Sequence, residues 1–87
     1  MERRKEQKML DICYEELDYL KEHIDEGKEI LGYDFLDTWD FEDEYSHNHI
    51  EENRSKFIQL ANEYFKENNL PYEARETCER AKIFEKN

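Results

Sequence analysis

The first predicted helix carries acidic side chains at a spacing that could present a row of negative charge to a basic molecule. Apolar residues recur every three or four positions from Leu10 to Leu31, which is typical of a helix that packs along one side. The positions that point away from that side hold only acids, namely Asp11, Glu15, Asp18, Glu22, Asp25 and Glu29. At a rise of about 1.5 Å per residue, these carboxylates follow one another about 5 Å apart. That spacing is comparable to the spacing of phosphates along a nucleic-acid strand.

This acidic row works against the stability of the helix that carries it. Like charges four residues apart, such as Asp18 with Glu22, each cost about 0.2–0.5 kcal/mol, and two lysines relieve the repulsion only in part. Later parts of the chain pair opposite charges at the same spacing, as in Glu52 with Lys56. An acidic row that lowers the stability of its own helix indicates a role in binding. The alternative is a solvated face that keeps a small domain soluble.

Residues 33–45, which we call the acidic link, hold five aromatic residues and six carboxylates but no Lys or Arg. The simplest interpretation places Phe35 and Trp39 in the core and leaves Phe41 and Tyr45 freer. Rings flanked by acids are typical of an interface in which the rings bury in a partner and the carboxylates meet its Lys and Arg. The acids around these rings are Asp37, Asp40, Glu42, Asp43 and Glu44.

The sequence gives little support to metal binding or catalysis. Asp43, His47 and Glu51 recur at four-residue spacing, but the chain has no second histidine cluster and no CxxC pair, so we expect no metal site. The aspartates of the acidic link lack the glycine that a calcium loop needs at its sharp turn. Ser46 and His47 have no glycine-rich turn beside them for nucleophilic catalysis. We therefore predict no enzyme activity and no cofactor.

Composition indicates an all-α protein. The chain has no valine, two threonines, two glycines and one proline, whereas strands favour β-branched residues and their turns favour Gly and Pro. We predict a small bundle of three main helices, with a short helical stretch in the acidic link, capped by Asp34, between the first two. Cys13 and Cys78 fall on apolar helical stripes, which predicts two buried thiols in a reducing compartment and leaves a disulfide between them open.

The helix boundaries follow from periodicity and capping residues. The first helix is predicted from about Glu2 to Ile30, continuing through Gly27, and the second from about His49 to Glu67 with Ser46 or Asn48 as its cap. The third helix is predicted to begin at Pro71, with an apolar stripe made of Ala74, Cys78, Ala81 and Phe84.

Size and charge bound the function further. Eighty-seven residues fit one domain, residues 1–87, and a net charge of −11 argues against direct binding to DNA, RNA or an anionic membrane. No continuous apolar run predicts a signal peptide or a membrane span, so we expect a cytoplasmic protein.

These observations predict a small acidic inhibitor that occupies a basic, nucleic-acid-binding surface of a partner protein, in its sharpest form by mimicry of DNA or RNA. The analogy is to inhibitors and immunity proteins from phages and bacteria, and it rests on charge and size. The predicted contact residues are Asp18, Glu22, Asp25, Glu29, Asp37, Trp39, Asp40, Phe41, Glu42, Asp43 and Glu44. The alternative is a helical scaffold or regulatory subunit that forms a homodimer through the apolar seam of the first helix. Salt should weaken a charge-led complex but not a seam-led dimer.

Overall fold

The computed structural model describes the backbone of residues 2–86 and the side chains of residues 8–86. In that part of the chain, the helices are α1 (Glu2–Asp25), α2 (Thr38–Phe41) and α3 (His47–Glu67), and the strands are β1 (Asp34–Phe35), β2 (Tyr72–Thr77) and β3 (Arg80–Glu85). The strands form one antiparallel sheet in which β3 lies between β1 and β2. Helix α3 packs against both α1 and β2, and the core lies between these elements.

The predicted all-α fold is wrong because residues 72–85 form a β-hairpin instead of a third helix. Ala74 and Ala81 fit a helical stripe, but they also fit the alternation of a strand, in which Ala81 and Ile83 are buried on one face. The two residues of the turn, Cys78 and Glu79, have φ angles of 53° and 61°. Two left-handed residues between paired strands make a type I′ turn, which Asn-Gly usually marks. Because Cys-Glu stands where Asn-Gly would mark the turn, the helical spacing of the apolar residues predicts a helix here.

The turn also explains why the prediction for the cysteines is half wrong. Cys13 is fully buried on α1, as predicted, but Cys78 is exposed at the tip of the hairpin, and the two thiols are unpaired. Burial raises the pKa of Cys13 to about 11, an effect that Lys56 opposes and Glu16 reinforces.

Helix α1 ends five residues before the predicted Ile30 because Gly27 stops it instead of continuing it. The N–H of Gly27 donates to the carbonyl of Ile24 (3.1 Å), and the N–H of Lys28 donates to that of His23 (2.8 Å). This pair of bonds, with φ of +73° at Gly27, is a Schellman C-cap.

Helix α3 confirms the second predicted helix, beginning two residues earlier than expected. Ser46 is its N-cap, and the Ser46 hydroxyl accepts from the N–H of His49 at 3.3 Å.

The acidic link differs from its prediction in two respects. Asp34 belongs to β1, and the cap of the one-turn helix α2 is Asp37, whose carboxylate accepts from the N–H of Trp39 at 3.0 Å. Phe35 is buried and stacks on a ring of α3, as expected of a core residue. Trp39, by contrast, is 69% exposed, whereas Tyr45 is 7% exposed, which reverses the predicted roles of these two rings.

A buried arginine on α3 joins the link, the hairpin turn and the helix. Arg54 is 1% exposed. Its Nη1 donates to the carbonyl of Leu36 (3.2 Å), to the hydroxyl of Thr38 (2.7 Å) and to the carbonyl of Glu79 (2.7 Å), and its Nε donates to the carboxylate of Glu76 (2.6 Å). Because a buried charge is costly unless it is paired and hydrogen-bonded, these bonds offset the cost of holding the guanidinium inside.

Replacing this guanidinium should destabilise the whole fold. Arg54→Met removes the donor to two buried acceptors and is expected to lower the free energy of unfolding by about 3 kcal/mol. The measurement is urea denaturation followed by circular dichroism. Lys86→Met, at an exposed cation just after β3, is the control and should change stability by less than about 0.5 kcal/mol. Equal stability of the two variants would contradict the role assigned to Arg54.

Optimising the turn should stabilise the protein. The double change Cys78→Asn, Glu79→Gly supplies residues that adopt positive φ readily, and we expect a gain of about 1 kcal/mol in the free energy of unfolding. Thermal unfolding of the two proteins checks this value. The control Gln59→Gly, on the exposed side of α3, should instead lose about 1 kcal/mol. A loss of that size in the double variant would indicate a helix at residues 78–79.

Candidate partner-binding surface

A groove between α1 and the segment around β1 is the site where acidic and aromatic side chains converge. Its volume is about 390 Å³, and it is lined by Glu15, Glu16, Tyr19, Tyr33, Asp34 and Phe35. Residues 15, 16 and 19 lie on one flank of α1 because the helix advances about 100° per residue. The short pairing of β1 with β3 holds the opposite wall in place.

The aromatic part of the groove is built from two exposed tyrosines over a buried phenylalanine. The rings of Tyr19 and Tyr33 have centroids 6.1 Å apart at 73°, and Tyr19 lies 6.4 Å from Phe35. His23 packs against Tyr19 at 4.0 Å and against Tyr33 at 5.8 Å. The tyrosines are 41% and 43% exposed, so their rings remain open to solvent although they are fixed by their neighbours.

Glu16 is the most unusual carboxylate of the groove. Its pKa is raised, first by partial burial and then by the negative charges of Asp40 and Glu15. Among the side chains that the structure describes, no Lys or Arg lies within ion-pair distance of Glu16. The groove therefore holds a half-buried carboxylate that has acidic neighbours and forms no ion pair with a Lys or Arg among side chains 8–86.

Two acids of the link form ion pairs with side chains of β3. Asp34 contacts Lys82 Nζ at 3.2 Å and Arg80 Nη1 at 3.3 Å. Asp37 is buried, caps α2, and lies 3.1 Å from Arg80 Nε as an ion pair without hydrogen-bond geometry. Asp37, a predicted contact residue, therefore serves the fold.

The predicted contact acids of the first helix do not share one surface. Asp18 and Glu22 are exposed on α1. Asp25 contacts Tyr64 of α3, whose pKa rises through burial and then through this carboxylate. Because residues 16 and 25 are nine positions apart, they face opposite sides of the helix. Glu29 lies beyond α1, and its carboxylate accepts from the backbone N–H groups of residues 30 and 31.

The remaining predicted residues lie in or just after α2. Trp39 and Asp40 are exposed, and the electrostatic effect of Asp40 on Glu16 places this part of the link beside the groove. Phe41 is half-buried against Tyr45, with ring centroids 6.4 Å apart.

The last acids of the link are also exposed. Glu42 lies 3.7 Å from a histidine nitrogen of His47. Asp43 and Glu44 line a second cavity, of about 360 Å³, together with Lys8 and Tyr45. Within the predicted set, the structure therefore brings the α2 region close to α1 but leaves Asp25 and Glu29 elsewhere.

Sequence reasoning missed Glu16, Tyr19 and Tyr33. Glu16 is next to the outward row and therefore was not counted in it. Tyr33 was counted among the five rings of the link but not among the predicted contact residues, and Tyr19 of α1 was not considered. The sequence does carry one signal: Tyr14 and Tyr19 fall outside the apolar seam of the first predicted helix, so their large rings are expected to be exposed. Only the fold reveals that Tyr19 meets Tyr33.

The described residues and the comparisons with known proteins indicate no other type of site. Among side chains 8–86, no group of three or more His, Cys, Asp or Glu residues is arranged to hold a metal ion. No helix within the described residues has the length and apolar character needed to cross a membrane. The chain matches no family model, and comparison with curated proteins and with solved structures gives no significant similarity.

Neutralising Glu16 should stabilise the protein at neutral pH. Because the folded state raises the pKa of this carboxyl, the charge costs stability as the pH rises from about 4.5 through the folded-state pKa. Glu16→Gln should therefore gain about 0.2–0.5 kcal/mol at pH 7, because it removes first the cost of partly burying the charge and then the like-charge repulsion, and nothing below pH 4. Urea denaturation at both pH values is the measurement. Glu22→Gln, at an exposed position of α1, should show a smaller dependence on pH, and the reverse order would refute the unbalanced charge at Glu16.

Proposed function

We propose that the protein is a non-catalytic binding protein whose acidic surface occupies a basic site of another protein, of the kind that contacts nucleic-acid phosphates. The observation that carries this proposal is the half-buried Glu16, with Asp40 and Glu15 close by and no cation balancing it among the described side chains. Such an arrangement costs folding stability, and a basic partner would offset that cost on binding.

The distribution of cations supports the same function. Between Lys28 and Arg54 the sequence has no Lys or Arg, and Arg54 itself is buried. Arg80 and Lys82 approach the link from β3, but they contact Asp34 and Asp37. The acids that neither Arg80 nor Lys82 contacts lie on α1 and on the α2 region: Glu15, Glu16, Asp18, Glu22, Asp40, Asp43 and Glu44, the last two sharing a cavity with Lys8. They form the surface that we assign to the partner.

Two features favour a nucleic-acid-binding site over an arbitrary basic patch. Glu15, Asp18 and Glu22 follow one another along a rigid helix, so their charges repeat at short, regular intervals as phosphates do. Trp39, which is 69% exposed beside this surface, offers a large ring to the centre of an interface. The combination supports an inhibitor that excludes nucleic acid from its partner.

The alternative homodimer uses residues that pack within the chain. Cys13, Leu17 and Leu20 of the apolar seam are at most 5% exposed, and Cys13 Sγ lies 3.5 Å from the carbonyl of Asn53 on α3. A dimer through this seam would require α1 to leave α3. No specific observation favours that rearrangement, so we propose the charge-led complex alone.

Charge reversal on the assigned surface should abolish capture of the partner. The tagged protein is incubated with lysate of its native host at about 50 mM and about 500 mM salt, and captured proteins are quantified by mass spectrometry. We expect a basic protein that high salt releases, and at least about a tenfold loss of it with the triple variant Glu15→Lys, Glu22→Lys, Asp40→Lys. Added duplex DNA or structured RNA should also release it.

The control reverses the same number of exposed acids away from the assigned surface, with Glu63→Lys, Glu67→Lys and Glu85→Lys. Its total charge equals that of the first variant, so it should keep the partner within about twofold. Equal losses in both variants would indicate a nonspecific effect of net charge. Capture that survives both high salt and the first variant would refute the proposal.

A further inference from the structure

We infer that the groove lined by Glu15, Glu16, Tyr19, Tyr33, Asp34 and Phe35 receives the guanidinium group of an arginine side chain from a protein partner. This inference rests on the proposed function for the origin of the arginine, and it assigns to that function one defined subsite. The chemistry of the groove can nevertheless be tested with a peptide alone.

The carboxylates make the groove selective for a cation. Glu15 and Glu16 stand on the α1 wall, and Asp34 stands on the β1 wall. Asp34 already contacts Lys82 and Arg80, which leaves the negative charge of the α1 wall as the unbalanced part. An anionic or neutral occupant would increase the repulsion or leave it unchanged, whereas a cation would remove it.

The aromatic side chains favour an organic cation over a small metal ion. Tyr19 and Tyr33 meet nearly at right angles, and each is more than 40% exposed, so a ring face is open to an entering group. Phe35 forms an apolar floor. Cations held over such ring faces gain an electrostatic attraction that a strongly hydrated metal ion does not use.

Guanidinium suits the groove better than ammonium. It is planar and weakly hydrated, so it can lie against a ring while its N–H groups bond to carboxylates at its edge. A contact of this kind already exists in the fold, where the Cζ of Arg75 lies 4.0 Å from the centroid of Phe84. The groove thus offers both a ring face and carboxylates, which an arginine can contact at the same time.

The test titrates the purified protein with the peptide acetyl-Gly-Arg-Gly-amide and follows the aromatic NMR signals of Tyr19 and Tyr33. The matched peptides contain lysine or the neutral isostere citrulline in place of arginine. We expect saturable shifts of both tyrosines with arginine, about fivefold weaker binding of lysine, and at least about tenfold weaker binding of citrulline.

Variants separate the groove from the general acidity of the surface. Tyr33→Leu and Glu16→Gln should each weaken the arginine peptide by about fivefold. Tyr14→Leu, at a tyrosine of nearly the same exposure on the other flank of α1, and Glu63→Gln, at an exposed acid of α3 away from the assigned surface, should change it by less than about twofold. Because Glu16→Gln is expected to stabilise the fold, a loss of binding in that variant cannot come from unfolding.

The outcomes distinguish the two proposals. Equal affinity for arginine and lysine, or equal effects of the groove and control variants, would overturn the guanidinium subsite even if lysate capture behaves as proposed. Arginine binding in the groove without salt-sensitive capture of a basic protein would support the subsite and overturn the proposed function.

Discussion

The guanidinium of Arg54 is the interaction on which the arrangement of the other elements depends. It bonds to the chain just before α2, to the hydroxyl at the start of α2 and to the hairpin turn, and it reaches Glu76 on β2. Thr38 reinforces this connection because both its N–H and its hydroxyl donate to the carbonyl of Glu79. A domain of this size has a small apolar core, so a buried polar centre of this kind fixes the geometry that packing alone would leave loose.

Some of this could be predicted from the sequence. Helix α3 could be predicted because a capping serine precedes a long periodic apolar stripe. Most of α1 could be predicted from its periodicity as well. Arg54 left a signal that was not used: it stands on the stripe of Ile50, Phe57 and Ala61, where a charged residue demands buried partners. Those partners come from the link and the turn, which no local pattern identifies.

The hairpin and the groove could not be predicted from the sequence, for different physical reasons. Alanines at positions 74 and 81 satisfy two periodicities at once, and the turn relies on tertiary bonds rather than on Asn-Gly to hold its left-handed residues. The sequence located the acidic regions correctly along the chain, but it could not tell which acids β3 would neutralise. Arg80 and Lys82 take Asp34 and Asp37, and the unbalanced charge falls on Glu16.

The pairing of β1 with β3 has a consequence for the order in which the molecule assembles. Phe35 pairs with Ala81, and Thr38 bonds to Glu79 across 41 residues of chain, so one wall of the groove is fixed by segments remote in sequence. Contacts this distant carry a loop-closure cost that contacts within a helix do not carry. The groove therefore depends on contacts that the formation of the two long helices does not by itself make. A partly folded chain with both long helices in place would carry the full negative charge without the groove.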